Sequence, residues 1–154
     1  MNCSPVKSRS RIGGIQLEET LEAIRRVFEQ EPYAKMMGLK LVEVGPGIAL
    51  VELKLSENTK NIFGATHGAA VFSLIDGAFE VAANSHGTVA VALNVNVSYI
   101  NPSTPGDTLR AEAREVSRSR RISSYHIEVK NDKGDLIATC QAMAYRKKDP
   151  LPFL

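Results

Sequence analysis

The sequence predicts an α+β domain in which an antiparallel sheet wraps around one long central helix. The stretch from Gly68 to Asn84 is apolar nearly all round (Ala69, Ala70, Val71, Phe72, Leu74, Ile75, Ala78, Phe79, Val81, Ala82, Ala83), the mark of a buried helix. Strand-like runs follow it, parted by the turn-rich segments Asn101–Asp107 and Asn131–Gly134. A two-strand hairpin pattern precedes it, and the compact way to bury such a helix with such strands is to close the sheet around it.

At 154 residues and 44% hydrophobic, the chain has the material for one domain with a real core. Nineteen basic against seventeen acidic residues give a formal charge of +2, too small and dispersed to indicate nucleic acid or a membrane surface as partner. No apolar run approaches the ~18 residues of a membrane span. The basic residues near the start (Lys7, Arg9, Arg11) lead into no apolar segment, so no signal peptide and a cytoplasmic location are expected. The two cysteines, Cys3 and Cys140, make no disulfide framework and lack metal-ligand spacing. Cys140 lies in the apolar run Leu136–Cys140 and reads as a buried hydrophobe rather than a nucleophile.

Taken in order, residues 1–15 have no periodicity and read as a mobile tail. Leu17, Leu21, Ile24, Val27 and Phe28 fall at helical spacing, with Glu18 and Glu19 in the first turn, so a helix is expected over 17–30, ended by Glu31-Pro32. Residues 38–44 and 48–55 flank Gly45-Pro46-Gly47 as a hairpin. After the central helix (68–84), Thr88–Ile100 opens with a continuous apolar run that reads as buried on both faces. Thr108–Val116, Ile122–Val129 and Asp135–Arg146 are strands that meander. The single domain is expected over 16–148, with 149–154 a short C-terminal tail.

Two positions of the central helix carry chemistry. Gly68 opens it, and its backbone N–H is an orphan donor at the positive dipole end, with no side chain to keep a carbonyl oxygen away. Asp76 is a carboxylate on an otherwise apolar helix, in a narrow polar stripe with Ser73, Glu80 and Asn84. The bland reading of that stripe is a solvated face. Eight residues separate Gly68 from Asp76, roughly 12 Å at ~1.5 Å per residue. One carbonyl cannot touch both in the same helix, so joint action requires a second, antiparallel copy of the helix in a two-fold dimer.

The pattern Asn61…Gly64…His67-Gly68-Ala69…Asp76, followed by Ala83-Asn84-Ser85 and the strand from Ala90 to Tyr99, resembles the hotdog-fold acyl-CoA thioesterases of the phenylacetate-degradation (PaaI-like) type over about residues 35–147. Ala69 stands where a second glycine is frequent. The resemblance implies a hotdog fold and an acyl-CoA substrate. Asp76 would act as general base on water, or as nucleophile through a mixed anhydride, while Gly68 of the other subunit holds the thioester oxygen. Asn61 would orient the thioester or water, and His67 would order the helix start. The family's hydroxyl-bearing strand position is assigned here to Asn94. Arg118, Arg120 and Arg121, with the neighbouring serines, would grip the phosphates of coenzyme A. No metal or cofactor is implied; a homodimer is, and through it a homotetramer.

Rival readings stay open. Asn61 is also a good turn residue, the arginines an ordinary charged connection, and Glu80 a second candidate base. His86 and His126 read as surface or packing residues. An acyl-CoA-binding or sensing protein would share Gly68 and Asp76, whereas a hotdog dehydratase fits the arrangement less well. Ala65, Ala69 and Ala70 leave room for an acyl group, and the helix over 17–30 either lines its pocket or packs on the sheet edge.

Overall fold

The computed structural model describes residues 11–12 and 15–154. The tail expected over 1–15 therefore lies largely outside the described residues; within it, β1 (Arg11–Ile12) pairs antiparallel with β2 (Ile15–Gln16). Helix α1 spans Leu17–Gln30, and the Glu19 carboxylate accepts from the Gln16 N–H at 3.4 Å at its start. Its inward face is Thr20, Ala23, Ile24 and Phe28, while Val27 stays 36% exposed. Pro32 ends α1 but also begins a short helix, α2 (Pro32–Met37), which the sequence reading did not anticipate. Proline suits a first helical position because the N–H it lacks would have no partner there. Gly38, with φ of 78°, closes α2 in the left-handed conformation.

The hairpin is β3 (Leu39–Gly45) with β4 (Ile48–Lys54). Gly47 in its turn has φ of 70°, and a Cβ there would come 2.7 Å from the Cβ of Glu115, so glycine is required twice over. After a 3-10 turn at Glu57–Thr59 comes α3 (Gly68–Asn84), at the expected bounds. Then follow β5 (Thr88–Tyr99), β6 (Thr108–Arg118), β7 (Ile122–Asn131) and β8 (Leu136–Pro150). Six strands form one antiparallel sheet in the order β3-β4-β6-β7-β8-β5. Alternation turns Leu109, Ala111 and Ala113 of β6, Tyr125, Ile127 and Val129 of β7, and Ala138, Cys140, Ala142 and Ala144 of β8 into the core. Leu74, Ile75, Ala78 and Ala82 of α3 are fully buried in the same core. The alanines on β6 and β8 leave the space that a helix 17 residues long needs to lie against a sheet. Cys140 is buried there, and desolvation pushes its thiol up to about 11, which suits a packing role.

Two expectations are corrected. The first half of β5 is not buried on both faces, because β5 is the last strand of the sheet and Val91 and Leu93 are 41% and 54% exposed. Nor do residues 149–154 stand outside the domain as a short C-terminal tail. Strand β8 runs through Pro150, Leu151 is buried and donates its N–H to the Gly87 carbonyl at 3.2 Å, and Phe153 packs against the core. The alternation stops at Arg146, so the polar residues 146–149 hid the continuing strand. Among the described residues no helix is long and apolar enough to cross a membrane.

Candidate active site

The loop that leads into α3 is tied up by its own residues. Asn61 Oδ1 accepts from the N–H groups of Phe63 at 2.9 Å and Ala65 at 3.2 Å, and its Nδ2 donates to the Thr66 carbonyl at 3.3 Å. The Asn61 amide is thus engaged in the loop, consistent with its reading as a turn residue, with these bonds using one of its two Nδ2 hydrogens. His67 is the N-cap of α3, and its Nδ1 accepts from the Ala69 N–H at 3.0 Å. Its own N–H reaches the Thr59 carbonyl at 2.7 Å, and Thr66 binds the Ser103 carbonyl through both N–H and hydroxyl. The helix start is thus held from two sides, with Gly68 fixed at the rim of a cleft formed with Thr66, Val71, Tyr99 and Ser103.

Just over two turns along α3, Asp76 lines a separate cleft of about 270 Å³ with Phe79, Glu80, Ala83, Asn84, Ala90 and Ala92. Solvent reaches the Asp76 side chain, yet the protein packed around it desolvates the carboxyl and raises its pKa above the ordinary value. Glu80, the next turn on, is pushed up to about 7, first by desolvation and then by the charges of Glu31 and Asp76. Glu31, between α1 and α2, is raised by desolvation and by Asp76. Three carboxyls from two helical segments therefore feel one another. Asn84 holds this end of α3 to β5, accepting from the Ala90 N–H at 2.9 Å and donating to the Glu80 carbonyl at 2.9 Å.

Asn94 does not stand beside Asp76. It pairs with Met143, and Asn96 with Gln141, on the face of the sheet turned away from α3. The strand residue in the Asp76 cleft is Ala92, which pairs with the buried Ala144. A register shift between Ala92 and Asn94 explains the miss, since counting by twos along the strand skips a bulge. No side-chain hydroxyl or amide of β5 therefore reaches the carboxylate from this position.

The three arginines lie at the β6–β7 connection, away from the Gly68 end of α3. Arg118 Nε is 3.4 Å from Glu115, which also binds His86, and Arg121 stacks 5.6 Å from the Tyr145 ring and donates to its hydroxyl. Arg120 is exposed in the turn. His126 sits on the outer face near Glu128, at 3.6 Å. Sequence reasoning missed Glu31 and Tyr99. In the sequence Glu31 shows only as the residue before a proline and Tyr99 as the end of a strand, although the alternation of Tyr99 with Val95 and Val97 marks it as inward-facing.

A buried helix clasped by one antiparallel sheet, with a desolvated carboxylate partway along it, is a hotdog architecture. The Thioesterase superfamily profile matches residues 63–138. The chain is 32% identical to an Archaeoglobus fulgidus protein that carries the name "Putative esterase", over 82% of each chain. It is 30% identical to acyl-coenzyme A thioesterase PaaI of Escherichia coli K12, covering 78% of this chain and 86% of that one. The solved structure of E. coli PaaI superposes with a TM-score of 0.82 at 27% identity, over 86% of this chain and 96% of that one. The chain belongs to the thioesterase superfamily, as a PaaI-like hotdog thioester hydrolase.

Proposed function

We propose that this thioester hydrolase cleaves acyl-coenzyme A to the free acid and coenzyme A, with each site shared between the two subunits of a homodimer. The observation that carries the reading is the desolvated carboxyl of Asp76 in its cleft, on the same helix as Gly68 but about 12 Å away. A carboxylate with a raised pKa is the better proton acceptor, so Asp76 takes a proton from water as the water oxygen attacks the thioester carbon. The carbonyl oxygen gains charge in front of the Gly68 N–H of the second subunit. Collapse of the tetrahedral adduct breaks the C–S bond, and the thiolate leaves with the proton that Asp76 had accepted. His67 and Asn61 act by fixing the loop that presents Gly68. Edge strand β5, with Val91 and Leu93 exposed, supplies a surface on which a second copy pairs. Two such dimers would make the tetramer. Arg118, Arg120 and Arg121 are assigned to the coenzyme A phosphates, and the activity to the cytoplasm.

A second reading is favoured by Glu80, whose pKa of about 7 also suits a general base near neutrality. Thiol release from short, medium, long and aryl acyl-CoAs, compared for native protein, Asp76→Asn and Glu80→Gln, separates the two. Expected is a loss of about 10²–10⁴ in kcat for Asp76→Asn alone, with fold and assembly retained. Turnover lost only in Glu80→Gln would move the base to Glu80. Binding without turnover in the native protein would make it an acyl-CoA sensor.

A further inference from the structure

The Asp76 cleft does not end at Glu80. Glu80, Asn84 and Ala90 also line a second, mostly apolar cavity of about 310 Å³ behind it. Much of its wall comes from two segments that the superfamily profile does not reach: Ile24, Val27 and Phe28 of α1, and Leu151, Pro152 and Phe153 at the C-terminus. These segments meet because Leu151 is bonded to Gly87, at the far end of α3, while Phe28 packs in the core beside the same helix. We propose that this cavity is the acyl chamber, that the thioester's hydrocarbon chain enters it past Glu80 from the Asp76 cleft, and that α1 and the C-terminal segment set the chain length the enzyme accepts.

The inference rests on the acyl-CoA thioesterase reading and adds to it the class of acyl group. The lining is apolar except where Glu31, Glu80 and Asn84 stand, and both carboxyls are shifted toward the neutral form by desolvation, which lowers the cost of bringing hydrocarbon beside them. A lining this apolar, open to the carboxylate cleft, suits a saturated hydrocarbon chain rather than a polar acyl group. Continuity with the reactive carboxylate decides for the substrate's own chain over any other apolar occupant, because three lining residues are common to both spaces.

The test is kcat/KM for saturated acyl-CoAs from four to about sixteen carbons in the native protein, Val27→Trp and Phe153→Ala. Val27 is partly exposed at the chamber wall, so a larger ring fits there without breaking the core. Each methylene that the ring excludes is expected to cost about fourfold. The ratio of decanoyl to butyryl turnover should then fall by at least about tenfold in Val27→Trp, and Phe153→Ala should move the optimum to longer chains. A ratio the same in all three, with turnover intact, overturns the chamber alone. No turnover of any saturated chain while an aryl acyl-CoA is still hydrolysed overturns the chamber and leaves the thioesterase reading standing, whereas no turnover of either overturns both.

Discussion

The Tyr99 hydroxyl donates to the Gly68 carbonyl at 3.2 Å, and its ring carbon Cζ stands 3.3 Å from where a Cβ on residue 68 would lie. The start of α3 and the end of β5 are therefore fitted to a residue without a side chain. Gly68→Ala forces the Tyr99 ring back and puts a methyl group beside the N–H offered to substrate. Since alanine favours the helix, stability should hold while kcat falls about tenfold or more. Melting temperature and kcat measured together check this, and an unchanged kcat would remove Gly68 from the site.

Ser85 tests how the far end of the helix is anchored. It is fully buried, accepts from the Gly47 N–H at 2.7 Å and donates to the Ala82 carbonyl at 2.8 Å. Ser85→Ala leaves a buried donor of the β3–β4 turn unpaired, at a cost of about 1–3 kcal/mol in urea unfolding. A loss well under that range would mean the turn finds another partner.

Glu80 makes stability depend on pH. Its pKa rises from 4.5 to about 7 on folding, so between those values the folded chain keeps a proton that the unfolded chain has released. With respect to this group stability is greatest below about pH 4.5, falls as pH rises to about 7, and is level above. Glu80→Gln stays neutral throughout. Its melting temperature should match the native protein near pH 4.5 and exceed it at pH 8, by a margin reduced because solvent screens the side chain. A pH-independent difference would show that Glu80 is not desolvated in solution.

The arginines should act on binding rather than chemistry. Charge removal in Arg120→Ala and in Arg121→Ala is expected to raise KM for acyl-CoA severalfold with kcat nearly unchanged. The larger effect is expected for Arg120, since Arg121 is already engaged by Tyr145. An unchanged KM in both would leave the connection as an ordinary charged turn.

What could be read in the sequence was what repeats. The helical period of α1, the unbroken apolar surface of α3 and the alternation in β4, β6 and β7 each follow from which face is buried, and α3 came out at its observed ends. What failed was where local geometry breaks a period. The bulge between Ala92 and Asn94 turns Asn94 to the side of the sheet away from α3, and Pro32, which signals the end of one helix, also starts another in α2. The carboxyl cluster was out of reach for a different reason. Glu31 and Asp76 are far apart in the chain, and only the packing of α1 on the sheet brings their charges into range.

Strand β5 leaves Val91 and Leu93 uncovered in a single chain. In the proposed dimer those side chains and both halves of each site are completed by the same encounter, so catalytic capacity follows mass action. Specific activity then becomes a function of how much protein is present. Dilution would silence the enzyme without unfolding it, and a cell would regulate the activity more steeply than in proportion to the number of copies it makes.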